Sequence, residues 1–175
     1  AVKEVDMYEL LDVAKKFLEG GKIPEKAVLC DFTMGNGYDT EYLCRLSKGG
    51  KVYAFDKNEE AIALLEQNCQ KFHLDNVEAI CGLAPECLKD LPVPDVAFIG
   101  GSSGNMDEIV SYLYGINDKM RFVITAVTLE NAMAGLDSLK NVGINGDIVQ
   151  VAVSKGRQIG DLHMLMAQNP IFIIS

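Results

Sequence analysis

The chain has 175 residues, 49% of them hydrophobic, enough for one well-buried core and too few for two ordinary domains. Its net charge of −9 weighs against a protein whose affinity comes from neutralising nucleic-acid phosphates, and no apolar run reaches the length that spans a bilayer. Five cysteines, odd in number and never spaced C-x-x-C, read as small core residues of a reducing cytoplasm, and with only His73 and His163 beside them they make a poor metal site.

The opening stretch Ala1-Val2-Lys3-Glu4-Val5-Asp6 is charged and lacks the apolar centre of a signal peptide. Its missing Met points to a chain trimmed or cut from a longer polypeptide. Apolar residues at helical spacing from Asp6 to Leu18, followed by Gly20-Gly21, predict an amphipathic helix within 1–22 whose stripe joins the core. Pro24 then turns the chain into a core expected over 27–175.

Val28-Leu29-Cys30-Asp31 is a continuous apolar run ending in an acid, the pattern of a strand buried on both faces. It breaks into Phe32-Thr33-Met34-Gly35-Asn36-Gly37-Tyr38, and ligands on open α/β sheets bind just beyond such strand ends. Gly35 and Gly37 let a ligand lie against bare backbone. The dinucleotide fingerprint wants a third glycine, and here Thr33 stands at the first position, so the turn is a poor phosphate cradle. It better suits a nucleoside without phosphate and with positive charge, namely S-adenosylmethionine, for which Asp31 supplies a carboxylate. A plain tight turn is the other reading of the same residues. Lys51 to Phe55 is a second short strand, and Asp56 at its end lies 19 residues after Gly37. An acid about 20 residues on is where a ribose diol is bound. The alternative is that Asp56 begins the cap of the helix opening near Asn58.

Asp39 to Leu46 reads as a short helix whose amino terminus faces the proposed ligand, and Asn58 to about Phe72 as a longer one with acids in its first turn. Val77–Cys81 is a third strand. In Gly82-Leu83-Ala84-Pro85-Glu86 the proline sits early in an expected next helix, and backbone near Leu83 and Ala84 lies where adenine would reach. The fourth strand, Asp95 to Ile99, runs into Gly100-Gly101-Ser102-Ser103-Gly104-Asn105, small residues that leave room for a substrate or make a flexible loop. A helix from Met106 to about Tyr114, a strand over 121–126 and a helix from Leu129 to Asn141 follow. Residues 147–154 and 170–174 read as two strands without a helix between them, hence an antiparallel pair. Five βα units ending so outline the seven-stranded, mostly parallel, Rossmann-like α/β sheet of class I methyltransferases. The intervening 155–164 reads as a loop; its Lys155 and Arg157 are placed to pair with substrate carboxylates or simply to be solvated. His163 is the one local candidate acid or base.

Several stretches resemble the CbiT family: Gly82-Leu83-Ala84-Pro85-Glu86, Phe98 to Gly104, Asn105 to Ile109, Ala126 to Asn131, Gln150 to Arg157 and Ala167-Gln168-Asn169-Pro170. That family comprises decarboxylating cobalt-precorrin-6B C15-methyltransferases of cobalamin synthesis and the C-terminal half of fused precorrin-6Y C5,15-methyltransferases. The resemblance implies S-adenosylmethionine held by Thr33, Met34, Gly35, Asn36, Gly37, Asp56 and Ala84, a tetrapyrrole substrate, and a homo-oligomer, often a tetramer. For that substrate the residues themselves offer Gly100, Gly101, Ser102 and Ser103 as pocket lining, Lys155 and Arg157 as partners of its carboxylates and His163 as a further contact, and no catalytic acid or base is assigned. Thr33 in place of the usual glycine, and the lack of the family's N-terminal Thr-Lys-x-Glu-Val-Arg segment, are departures. Asp31 to Thr40 is also similar to the opening motif of YtqB-like RNA methylases, so an RNA methyltransferase or a non-catalytic module of the same fold are the rival readings.

Overall fold

The computed structural model of the protein describes residues 23–24, 26–32, 38–100 and 104–175. The expected N-terminal helix, the turn Thr33-Met34-Gly35-Asn36-Gly37 and the run Gly101-Ser102-Ser103 lie outside the described residues.

Strands β1 (Val28–Asp31), β2 (Lys51–Asp56), β3 (Val77–Cys81), β4 (Val96–Gly100) and β5 (Arg121–Ala126) are parallel. With β6 (Ile148–Val151) and β9 (Ile171–Ile174) they form one sheet in the order β3-β2-β1-β4-β5-β9-β6. Strand β9 is antiparallel to both β5 and β6, which is the terminal antiparallel pair expected from the sequence. The apolar runs are continuous because both faces are covered. Cys30, Tyr53, Phe55, Ala97, Ile99, Phe122 and Ile124 point to one side, against helices α3 (Met106–Ile116) and α4 (Leu129–Asn141). Their neighbours Leu29, Val52, Val96, Phe98 and Val123 point to the other, where α1 (Tyr38–Leu46) contributes Leu43 and Cys44. Helix α2 (Glu59–Phe72) covers Ala54 there with Leu65.

The helices start where their caps allow. Asn58 accepts the Glu60 N–H at the head of α2, and Thr128 accepts the Asn131 N–H at the head of α4. Asn76 Nδ2 donates to the carbonyls of Cys44 and Ser47, tying the end of α1 to the β3 edge. At Gly50 a Cβ would sit 2.0 Å from the Ala27 carbonyl oxygen and 2.2 Å from Ser47 Oγ, so only glycine fits where the chain enters β2.

Two expectations are corrected. Pro85 does not open a full helix: it heads a single 3-10 turn, Glu86–Leu88. Residues 155–164 are not a loop. Strands β7 (Ser154–Ile159) and β8 (Leu162–Ala167) form an antiparallel hairpin that belongs to no other sheet, turning at Gly160 with φ +61°. The alternation was masked by Lys155, Gly156 and Arg157, and the expected strand 147–154 is accordingly split at Val151. Among the described residues no helix is long and apolar enough to cross a membrane.

Candidate functional site

The carboxyl ends of β1, β2 and β4 lie side by side. Asp31 stands beside Ala54 of β2 and Phe98 of β4, and Asp56 closes β2 beside Cys81 of β3. Phe32, just past β1, donates its N–H to the Phe98 carbonyl and stacks on Phe55, ring centroids 5.1 Å apart and planes within 6°. Phe32 and Phe55 thus form a fixed aromatic pair at the end of β1.

The two acids differ. Asp31 is fully buried, and its Oδ2 accepts from Thr40 Oγ1 at 2.6 Å. A charge so placed needs hydrogen bonds to persist. Thr40 sits on the buried stripe of α1 with Leu43 and Cys44, and a hydroxyl on an apolar stripe is the signal that would have identified it as the partner of a buried group. Asp56 is half-buried, and its Oδ1 accepts the Asn58 N–H at 2.9 Å. The cap role is thus present, and it fixes the carboxylate at the strand tip.

The turn after β3 comes back over that tip. Gly82 N–H donates to the Asp56 carbonyl at 3.0 Å, Ala84 is buried, and Leu83 stays 54% exposed. Asn105, at the head of α3, caps nothing there; its Nδ2 donates to the Ala84 carbonyl at 3.1 Å. This side chain joins the loop after β3 to the loop after β4. Its position directly before a helix suggests a cap, which hides the role from sequence. Gly100 pairs with Thr125 at the end of β4.

The hairpin rises from the same edge of the sheet. Val151 pairs with Ile171, one step beyond the Phe172 that faces Ala126 at the end of β5. Opposed residues of an antiparallel pair share a face. Lys155 faces Met166 and Arg157 faces Met164, whereas His163 faces Gln158, so the two cations share one face and the histidine occupies the other.

Burial makes three of the thiols, Cys30, Cys44 and Cys87, poor nucleophiles. Burial, with the Asp31 charge next, drives the Cys30 pKa far up, and burial with Cys69 beside it pushes Cys44 up to about 12. Burial also raises Cys87, whose Sγ donates to the Leu83 carbonyl. Among the described residues no group of three or more His, Cys, Asp or Glu could hold a metal ion.

Comparison with known proteins agrees with this geometry. The precorrin methyltransferase domain family matches residues 22–175. A relative from Pyrobaculum calidifontis, named as a probable cobalt-precorrin-6B C(15)-methyltransferase (decarboxylating), is 33% identical over 150 residues, 85% of this chain and 77% of the relative. The crystal structure of precorrin-6y C5,15-methyltransferase from Geobacter metallireducens superposes with a TM-score of 0.86 at 28% identity, over 99% of this chain and 89% of that one. Precorrin 8w decarboxylase from Methanobacterium thermoautotrophicum gives 0.82 at 29% identity, over 94% and 88%. With a matched region that takes in the whole described sheet, its strand-tip acids and its hairpin, the chain belongs to the precorrin methyltransferase family.

Proposed function

We propose that this protein transfers a methyl group from S-adenosylmethionine to C15 of a cobalt-precorrin-6B-type tetrapyrrole and releases carbon dioxide from it, in cobalamin biosynthesis. The observation that carries the reading is Asp56 at the tip of β2, oriented by the Asn58 amide under the Gly82-Leu83-Ala84 turn, in a chain of the precorrin methyltransferase family.

The tips suit the methyl donor. Asp56 offers a carboxylate of fixed orientation for a ribose diol, and exposed Leu83 offers apolar surface for adenine beside the Ala84 backbone. Asp31, buried at the end of β1, lends negative potential there, and Thr33, Met34, Gly35, Asn36 and Gly37 are assigned to the rest of the nucleoside. When bound, S-adenosylmethionine supplies an electrophilic methyl group. What the chain supplies is alignment, and holding two reactants in register contributes several kcal/mol of barrier lowering, within the ~7–11 kcal/mol available to well-oriented reactions. Gly100, Gly101, Ser102 and Ser103 line the acceptor side, where small residues admit a broad flat molecule. Lys155 and Arg157, on one hairpin face, engage peripheral carboxylates. His163, on the other face, contacts the same substrate only from a neighbouring hairpin or after the hairpin bends. An electron-rich ring carbon attacks without a protein base, so none is assigned.

Incubation with S-adenosylmethionine and cobalt-precorrin-6B, followed by mass spectrometry, tests this directly. The product gains one methyl and loses carbon dioxide. Methylation without that loss, or methylated RNA in place of the tetrapyrrole, overturns the assignment.

The same reading includes a homo-oligomer in the cytoplasm. All six residues of β8 are exposed, Leu165 at 77% and Leu162 at 73%, and a lone two-stranded hairpin is marginal in water. Strand β8, Leu162-His163-Met164-Leu165-Met166-Ala167, carries no formal charge in a chain of net −9, so a second copy can meet it there without like-charge repulsion. Light scattering of the purified protein returns a multiple of the chain mass; a monomer at micromolar concentration contradicts the oligomer.

A further inference from the structure

Helices α2 and α4 each begin on a side-chain cap, Asn58 and Thr128, whereas α3 does not. Asn105 stands in the same position, and by type it is as good a capping residue as either. Its amide turns away from the helix instead, and Nδ2 donates at 3.1 Å to the carbonyl of Ala84, 21 residues earlier in the chain. A residue that gives up its own cap for a distant carbonyl serves more than its own helix.

The receiving end is the turn assigned to adenine. Within that turn the Leu83 carbonyl accepts from the Cys87 N–H at 3.3 Å and from Cys87 Sγ at 3.1 Å, and the Pro85 carbonyl accepts from the Leu88 N–H at 3.1 Å. Of the three carbonyls, only that of Ala84 is held from outside the turn. Ala84 is 6% exposed, so its carbonyl needs a partner, and that partner belongs to the other loop of the site. Beneath this bond Ala84, Leu88, Met106 and Ile109 share one buried cluster. Directly before Asn105, Gly104 takes the chain into α3 at φ +98°, a left-handed conformation natural to glycine. Holding the Asn105 side chain therefore holds the point where the acceptor-side residues 100–104 enter the helix.

We propose that Asn105 is a positioning residue that couples the two halves of the site. A nucleoside seated against Leu83 and Ala84 holds the Ala84 carbonyl in place, and through Asn105 Nδ2 it holds Gly104 and the head of α3 for the tetrapyrrole. The inference rests on the reading of 82–84 as the adenine contact. Freedom lost when the first ligand binds is not lost again to the second, so each ligand strengthens the binding of the other.

Hydrogen exchange of the full chain, with and without saturating S-adenosylhomocysteine and read by mass spectrometry, tests the coupling in the wild type, Asn105→Ala and Asn105→Asp. Aspartate caps a helix as well as asparagine and its charge suits a helix amino terminus, but a carboxylate cannot donate to a carbonyl, so Asn105→Asp keeps α3 folded while breaking the link. In the wild type the ligand is expected to slow exchange at 82–88 and also at 105–110, each by about fivefold or more. In both variants the slowing persists at 82–88 and falls below about twofold at 105–110. Slowing absent from 82–88 in the wild type removes the adenine assignment and the proposal with it. Slowing at 82–88 with none at 105–110 in the wild type, or equal slowing at 105–110 in the wild type and Asn105→Asp, leaves that assignment standing and overturns the proposal.

Discussion

Strands β4 and β8 make opposite use of the same kind of backbone. In β4 the residues Val96 to Ile99 are all buried, whereas every residue of β8 is exposed, although Leu162, Met164, Leu165 and Met166 are as apolar as anything in the core. The difference lies in neighbours: β4 has a strand on each side and helices on both faces, while β8 has β7 alone. Rigidity from burial on all sides suits the end of the molecule that aligns a cofactor. Unsatisfied apolar surface suits the end that meets another body.

The comparison breaks most visibly at Gly50. Gly50→Ala forces a Cβ into the Ala27 carbonyl and Ser47 at the entrance to β2. The expected cost is about 3 kcal/mol or more, a fall in Tm of about 6–12 °C by thermal circular dichroism. A loss below one degree would mean that the parallel half is softer than its burial indicates.

Next in size is Thr40→Val, which removes the hydroxyl from buried Asp31 while keeping its shape. We expect a loss of about 1–3 kcal/mol in denaturant unfolding, with the midpoint shifted and the slope unchanged. The strand ends were readable because acids there break continuous apolar runs, as at Asp31 and Asp56. What Asp31 touches was not readable, since its partner arrives from α1 nine residues later.

Alkaline pH probes the buried side more gently. Burial raises Cys44 from 9.0 to about 12, so the folded state favours the protonated thiol. The stability it contributes is complete below about pH 9 and is lost as pH rises from 9 towards 12. Melting temperature should fall more steeply across pH 9–10.5 in the wild type than in Cys44→Ala, and parallel curves would contradict this.

The smallest expected change in monomer stability is at the hairpin. Leu165→Asp touches nothing in its own chain's core, so each copy's stability should move by no more than about 0.5 kcal/mol. Light scattering of that variant should nevertheless report monomers, and an unchanged assembly would remove β8 as the contact. The hairpin shows where sequence reading stopped. In β7 the period-2 pattern places Lys155, Arg157 and Ile159 on one face and Gly156 on the other, so neither face of that strand carries the apolar stripe that marks a strand lying on its own core. Strands β1, β2, β4 and β5 had that stripe on both faces and were legible almost to the residue. Asn105 was hidden for another reason: a residue in cap position spends its side chain on the Ala84 carbonyl, a partner distant in sequence.

The central claim is that the nucleoside of S-adenosylmethionine rests on the tip of β2 with Asp56 holding its ribose. Calorimetry with S-adenosylhomocysteine on the wild type and on Asp56→Ala is the most direct test. We predict 1:1 binding in the wild type and an affinity about 10- to 100-fold weaker in the variant, the size of a lost hydrogen bond to a charged group, with the circular dichroism spectrum unchanged. Equal affinity in the two proteins would contradict the claim.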